Sequence, residues 1–314
     1  MENDTSKEKS LDSATCMLCG NEGVIFVNNL RDDNSRWAVR CNVCGHVQVY
    51  PLPDLDEDVN YYKENYEKNA DYTKAGYFNE SDIKLMNKFE DWAKYYVQSV
   101  KPVISSNQKI LEIGSGYGWF VEKMKNEGYI IDGVEVGKDR AQLAYHRVGI
   151  KLIDLNFLLD AVPESMSENY DVICMFHVLE HISDPLKFLN NVKKCLKPLG
   201  KLIVEVPNYY DYIKQLSLAY NNAVYFRAHL SYFTPDTLTA TLEKTDFSEI
   251  KINGVQRYSI ENAIRWIRTG KPNTEYLELE LPEGLEWVNQ HYKDVMEKEL
   301  KSYAIMGIAT LKGN

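Results

Sequence analysis

At 314 residues, with 44% apolar and 26% charged side chains, the chain is long enough for about two domains and can bury a substantial core. Its formal charge of -10 argues against a large nucleic-acid footprint, because that binding depends on Lys and Arg neutralising phosphates. The first fifteen residues, MENDTSKEKSLDSAT, are polar, and no later stretch approaches the eighteen or so apolar residues of a membrane span, so a cytoplasmic protein is expected.

The first region, 1–52, is rich in turns and β-branched residues and holds four of the six cysteines. Cys16 and Cys19 lie in CMLCG, and Cys41 and Cys44 in CNVCG. Each C-x-x-C-G turn lets two thiolates converge while the glycine takes a tight conformation, and two such turns close a tetrahedral site of four sulfurs. One structural zinc per chain is expected, with iron or redox pairs as alternatives; a closed site folds a ribbon and leaves no position for substrate. Cys174 and Cys195 read as ordinary buried side chains.

Residues 53–104 read as a helical connector, since Ile83, Met86, Phe89, Trp92 and Tyr96 recur at spacings of three or four. From 105 to 314 short β-branched runs alternate with amphipathic segments. The order is KILEI, a helix over 119–128, YIIDGVEV, a helix over 138–148, GIKLI, YDVICMF, a helix over 185–196, KLIVEV, a helix over 234–244, FSEIKINGVQ and AIMGIATL. This alternation predicts an α/β domain with a parallel sheet covered by helices on both faces. Two stretches, 208–233 and 257–300, stand outside it as insertions.

In IGSGYG a strand runs into a glycine-rich turn and then a helix, which presents bare backbone N–H groups and a positive helix end at the sheet's carboxyl edge. The turn ends in Gly118 and Trp119, without the Gly-Lys-Ser of a P-loop, and its G-x-G-x-G spacing favours a ligand smaller than NAD. Glu112, inside an apolar strand, is costly unless it meets a partner such as a cationic amino group. Glu135 ends the next strand where a ribose diol would be gripped, or is a solvated strand end.

ILEIGSGYG, GVEV, YDVICMFHVLEHISDP and LKPLGKLIVEVPN, in that order over roughly 105–255, resemble the class I S-adenosylmethionine-dependent methyltransferases, and AIMGIATL is similar to that family's last, antiparallel strand. The resemblance implies a Rossmann-like seven-stranded sheet in the order 3-2-1-4-5-7-6. It places the cofactor's methionine end over Gly114, Ser115, Gly116, Tyr117 and Gly118, with the ribose on Glu135 beside Val136. Adenine would lie at Asp154 and Leu155, and Phe176 and His177 would border the methyl donor. The ribbon followed by CGHVQVYPLPDLDEDVNYY resembles a subgroup that modifies sugars or polysaccharide precursors. Its C-methylating members carry a further C-terminal domain for which this chain has too few residues after KLIVEV, which favours a hydroxyl acceptor.

HVLEH also spells the H-x-x-E-H of inverted zinc peptidases, but it directly follows a buried strand and is soon stopped by Asp184-Pro185. His177, Glu180 and His181 are therefore expected at the acceptor pocket. If the acceptor must lose a proton, His181 or His229 is the base; otherwise each is a satisfied structural histidine. Arg257, Arg265, Arg268 and Lys271 would suit a phosphate-bearing small-molecule acceptor, and equally a solvated face opposite TEYLELELPEGLE. A noncatalytic cofactor-binding scaffold is the reading from another class. Acceptor identity and oligomeric state stay open.

Overall fold

The computed structural model describes residues 14–54, 57, 80–271 and 281–313. Residues 58–79 of the expected connector and 272–280 of the acidic segment lie outside the described residues. Among the described residues, no helix is long and apolar enough to cross a membrane.

The N-terminal ribbon comprises β1 (Ala14–Thr15), β2 (Glu22–Val27), β3 (Trp37–Cys41) and β4 (Val47–Tyr50). The connector's described helical end is α1 (Glu80–Val100). Then follow β5 (Lys109–Ile113), α2 (Trp119–Asn126), β6 (Ile130–Val134), α3 (Lys138–Val148), β7 (Tyr170–Phe176), α4 (Pro185–Val192) and β8 (Leu196–Pro207). The first insertion holds α5 (Ile213–Leu216), α6 (Leu218–Ala223) and β9 (Ser231–Tyr232). After α7 (Pro235–Glu243) and β10 (Phe247–Val255), the second insertion holds α8 (Ile260–Thr269) and α9 (Glu286–Lys298), and β11 (Ala304–Leu311) closes the fold.

The main sheet has six strands in the order β10-β11-β8-β7-β5-β6, with β11 antiparallel to both neighbours. It therefore reproduces the expected order for six of seven positions. The seventh, GIKLI, is a single parallel bridge from Ile153 to Val134, with Lys151 and Asp154 exposed.

Successive side chains of a strand point to opposite faces, and here both faces are apolar because both are covered. Ile110, Val172 and Cys174 pack with Val97 of α1 and Phe120 and Met124 of α2. Leu111, Ile173 and Met175 pack with Leu189 of α4 and Leu242 of α7 on the other face. Cys195 joins that second core, so both remaining cysteines are buried as expected. Helix starts follow their caps: Asp184 Oδ1 accepts from the Lys187 amide at 2.9 Å ahead of Pro185, and Thr234 and Thr237 cap α7 reciprocally.

The ribbon does not stand apart from this sheet's domain. β4 pairs with β9, through Val47 opposite Tyr232 and Gln48 opposite Ser231, so the first insertion completes the ribbon's sheet as its fifth strand. His46 is fully buried with its ring 5.3 Å from that of Phe233, and burial pushes its imidazole down to about 3.

Candidate active site

At the carboxyl edge of β5 the chain turns through Gly114, Gly116 and Gly118, all with positive φ. At Gly114 (φ +75) a Cβ would lie 2.4 Å from Val178 Cγ2, so only glycine lets the loop pack against the segment after β7. The loop's amides are less bare than expected: Gly114 and Ser115 N–H both donate to Val134 O at 2.9 Å, and Gly116 N–H donates to Glu135 Oε2 at 2.7 Å. Glu135 accepts from Gly137 N–H as well, at 2.7 Å. Its carboxylate is thus buried among loop amides, which offer stronger partners than water, and it does not face the cavity.

Glu112 is different. It is 5% exposed and lines the cavity, and among the described residues its Oε2 has no hydrogen-bond partner. Burial pushes its carboxyl up to about 8, with Ser115 opposing and the charge of Glu135 adding to the rise. A carboxyl left so costly calls for a cation, and the ammonium of S-adenosylmethionine is one that fits. Ser115, Gly116 and Tyr117 line the same cavity as Glu112. Gly118, Val136, Asp154 and Leu155 do not: Val136 and Asp154 are exposed, Leu155 is buried in the core, and Gly118 serves as the N-cap of α2.

The cavity, about 1300 Å³, extends from this loop to both insertions and the ribbon. Phe176 lines it and stacks on Tyr96 of α1, ring centroids 4.0 Å apart. His177, at φ +54, donates through Nδ1 to Glu180 Oε1 and through Nε2 to Glu205 Oε1, each at 3.0 Å. Both ring nitrogens donate only in the imidazolium. Burial alone would lower its pKa, but Glu180 and Glu205 outweigh that and push it up to about 9. Arg257 Nη2 bonds the same Glu205 oxygen, and the two cations hold the Glu205 carboxyl below its ordinary range despite burial.

His177 is tied to two buried carboxylates, with Arg257 Nη1 3.3 Å from its Nε2, and HVLEH spans a strand end and the short 3₁₀ turn Leu179–His181, with no α-helix to align its histidines. The peptidase geometry is absent. Arg257 is likewise spent on a buried carboxylate; Arg265 lines the cavity, while Arg268 and Lys271 are exposed and do not. Residues that sequence reasoning passed over include Glu205 in KLIVEV, which carried the same signal as Glu112, and Arg31 and Lys214, which line the cavity from the ribbon and from α5.

His181 and His229 do meet. Their rings lie 4.9 Å apart, and His181 Nδ1 donates to Ala228 O at 2.7 Å, which makes Nε2 its acceptor nitrogen. Burial pushes His181 below the ordinary range and His229 further below it, so both are neutral at pH 7.

In the ribbon, one thiol atom from each of Cys16, Cys19, Cys41 and Cys44 lies within 4.8 Å of the others. Sγ of Cys16 is 3.6 Å from that of Cys44, and Sγ of Cys19 is 3.4 Å from that of Cys41. Four sulfurs at about 2.3 Å from a tetrahedral zinc would sit about 3.7 Å apart, so the cluster fits that ion.

Fold and site together define a methyltransferase. A family model described as a methyltransferase domain matches residues 86–252, over half of the chain, and the chain belongs to that family. It is an S-adenosylmethionine-dependent methyltransferase. A ubiquinone biosynthesis O-methyltransferase of Vibrio campbellii is 24% identical over 159 residues, covering 47% of this chain and 67% of that protein. One of Vibrio cholerae is 31% identical over 104 residues, covering 32% of this chain and 42% of that protein, so the chain spans less than half the length of this second relative. A SAM-dependent methyltransferase structure from Archaeoglobus fulgidus aligns over 70% of this chain and 94% of its own, at 18% identity and a TM-score of 0.49.

Proposed function

We propose that the protein methylates a hydroxyl of a sugar, nucleotide sugar or glycan intermediate in the cytoplasm, with a structural zinc in its ribbon. One observation carries the reading: the buried, unsatisfied Glu112 carboxyl and the neutral pair His181 and His229 line a single cavity. S-adenosylmethionine, when bound, supplies an electrophilic methyl group, and its amino group fits Glu112. Tyr117, Phe176 and Trp92 wall the donor end, which excludes water and orients the reacting groups. His181 and His229 stand at the acceptor hydroxyl and assist its loss of a proton. Tyr220, Phe226 and Trp266 offer apolar ring faces for a sugar, and Arg31 and Arg265 cationic groups for a phosphate-bearing acceptor. The O-methyltransferase names of the relatives support oxygen as the atom methylated, and six unbridged thiols suit a reducing compartment.

The test is calorimetric titration with S-adenosylmethionine and S-adenosylhomocysteine, followed by an acceptor screen over sugar phosphates. With its carboxyl at about 8, Glu112 is mostly protonated at pH 7, and an ammonium placed beside it favours the ionised form. Binding at pH 7 is expected to release close to one proton, read as a heat that depends on the buffer's ionisation enthalpy. Glu112→Gln is expected to abolish that release and weaken binding by about tenfold or more. Unchanged affinity in a folded variant would count against the assigned donor site.

A further inference from the structure

We propose that Glu180, His181 and His229 together hold a divalent metal ion at the acceptor end of the cavity. One ligand atom from each lies within 4.8 Å of the other two, and all three residues line the cavity. This is not the pairing that HVLEH suggests by spacing, since His177 is committed to two carboxylates and the second imidazole comes from the loop before β9.

Three further observations point to a cation here. Glu180 is fully buried, and among the described residues its Oε2 lacks any hydrogen-bond partner, while its Oε1 is fixed by His177 Nδ1 at 3.0 Å. A buried carboxylate oxygen without a donor is stabilised by a positive charge. The other nitrogen of His181 is tied to Ala228 O at 2.7 Å, and a backbone carbonyl on the far nitrogen is the usual way a ligating imidazole is oriented. His181 Nε2 already stands 3.9 Å from Glu180 Oε1. Metal–ligand distances of about 2.1 Å require ligand atoms about 3 to 4 Å apart, so side-chain rotations of about an ångström would complete the shell.

Two imidazoles and one carboxylate suit Mn²⁺, Fe²⁺ or Zn²⁺ and leave open positions towards the cavity, unlike the closed four-sulfur ribbon. The role assigned to the ion deepens the hydroxyl-acceptor reading and rests on it. An acceptor hydroxyl at an open position has its pKa lowered. Its O–H bond breaks with the proton passing to water, its oxygen forms the new bond to the methyl carbon, and the donor sulfur keeps the pair of the broken C–S bond.

Mn²⁺ titration of the zinc-loaded protein, read as loss of the free-ion electron paramagnetic resonance signal, tests the site, with S-adenosylhomocysteine calorimetry on the same samples. One Mn²⁺ per chain is expected, with binding weakened by about tenfold or more in both Glu180→Gln and His229→Ala. S-adenosylhomocysteine affinity should be unchanged in His229→Ala, which shows that the variant is folded. No Mn²⁺ uptake by wild type, or uptake that neither substitution alters, would overturn the site. If wild type takes up Mn²⁺ at these residues but binds no S-adenosylhomocysteine, the cation site stands and the donor assignment fails.

Discussion

Cys41→Ser is expected to unfold the ribbon and open the acceptor wall of the cavity while leaving S-adenosylhomocysteine binding intact. Structural zinc sites of this type supply on the order of 10 kcal/mol of folding free energy in zinc-finger peptides. Losing one of four thiolates removes most of that. The damage would not stay local, because β4 pairs with β9, Ser231 Oγ lies 3.0 Å from the Met17 sulfur, and Lys244 donates to Leu18 O. β9 begins two residues after His229, and Arg31 of the ribbon lines the cavity with its guanidinium 4.3 Å above the Phe226 ring. Glu112 and the glycine loop belong to β5 and α2 and pack on the other sheet. Amide hydrogen exchange should therefore accelerate at residues 47–50 and 229–233 in the variant, with protection of β5 and β7 retained and donor-product affinity near wild type. Unchanged exchange at residues 229–233 would show that the ribbon is a passive appendage. Chelation of the metal should reproduce the effect of the substitution.

This coupling is the part of the architecture that the sequence conceals. β9 is two residues long, Ser231–Tyr232, too short to show any alternation, and its partner β4 lies in a region of different composition. The central strands were legible because their rule is simple: buried on both faces, YDVICMF is apolar throughout apart from Asp171, and it forms β7 over all its residues. GIKLI, with its exposed Lys151, pairs through one bridge only, since composition reports burial and cannot report whether the outer edge finds a second row of hydrogen-bond partners. Among site residues, Glu112 announced itself as a carboxylate in an apolar strand. Glu205 did so equally, but its explanation, Arg257, comes from the second insertion, and pairings between distant segments leave no local pattern. Arg257 was conspicuous for the same reason in reverse: a charge cluster reads as surface until the fold shows which member is buried.

Removal of the His177 cation has the second large expected effect. His177 stands between two fully buried carboxylates, with Arg257 beside it on the same Glu205 oxygen, its Nη1 3.3 Å from His177 Nε2, and the Trp92 ring stacked 6.1 Å away. His177→Asn suits the left-handed backbone at φ +54, so the change isolates the charge. It leaves Glu180 without this cation and Glu205 with Arg257 alone, and breaking a buried pair in this way costs about 3 to 5 kcal/mol. The cost depends on pH in a defined direction. The imidazole's folded pKa is raised to about 9 against 6.5 ordinarily, so its stabilisation is fully present below about pH 6.5 and is lost as pH rises through 9. Across that window the loss is on the order of 3 kcal/mol. Urea midpoints at pH 6, 7.5 and 9.5, compared at equal slope, should show the wild type falling towards the variant, with the gap largest at pH 6. A gap that stays constant across the three would mean that His177 carries no extra proton in the fold. Because Glu180 Oε1 is oriented by this same imidazolium, Mn²⁺ affinity in His177→Asn should weaken as well, which separates a positioning role at the cation site from a purely structural one.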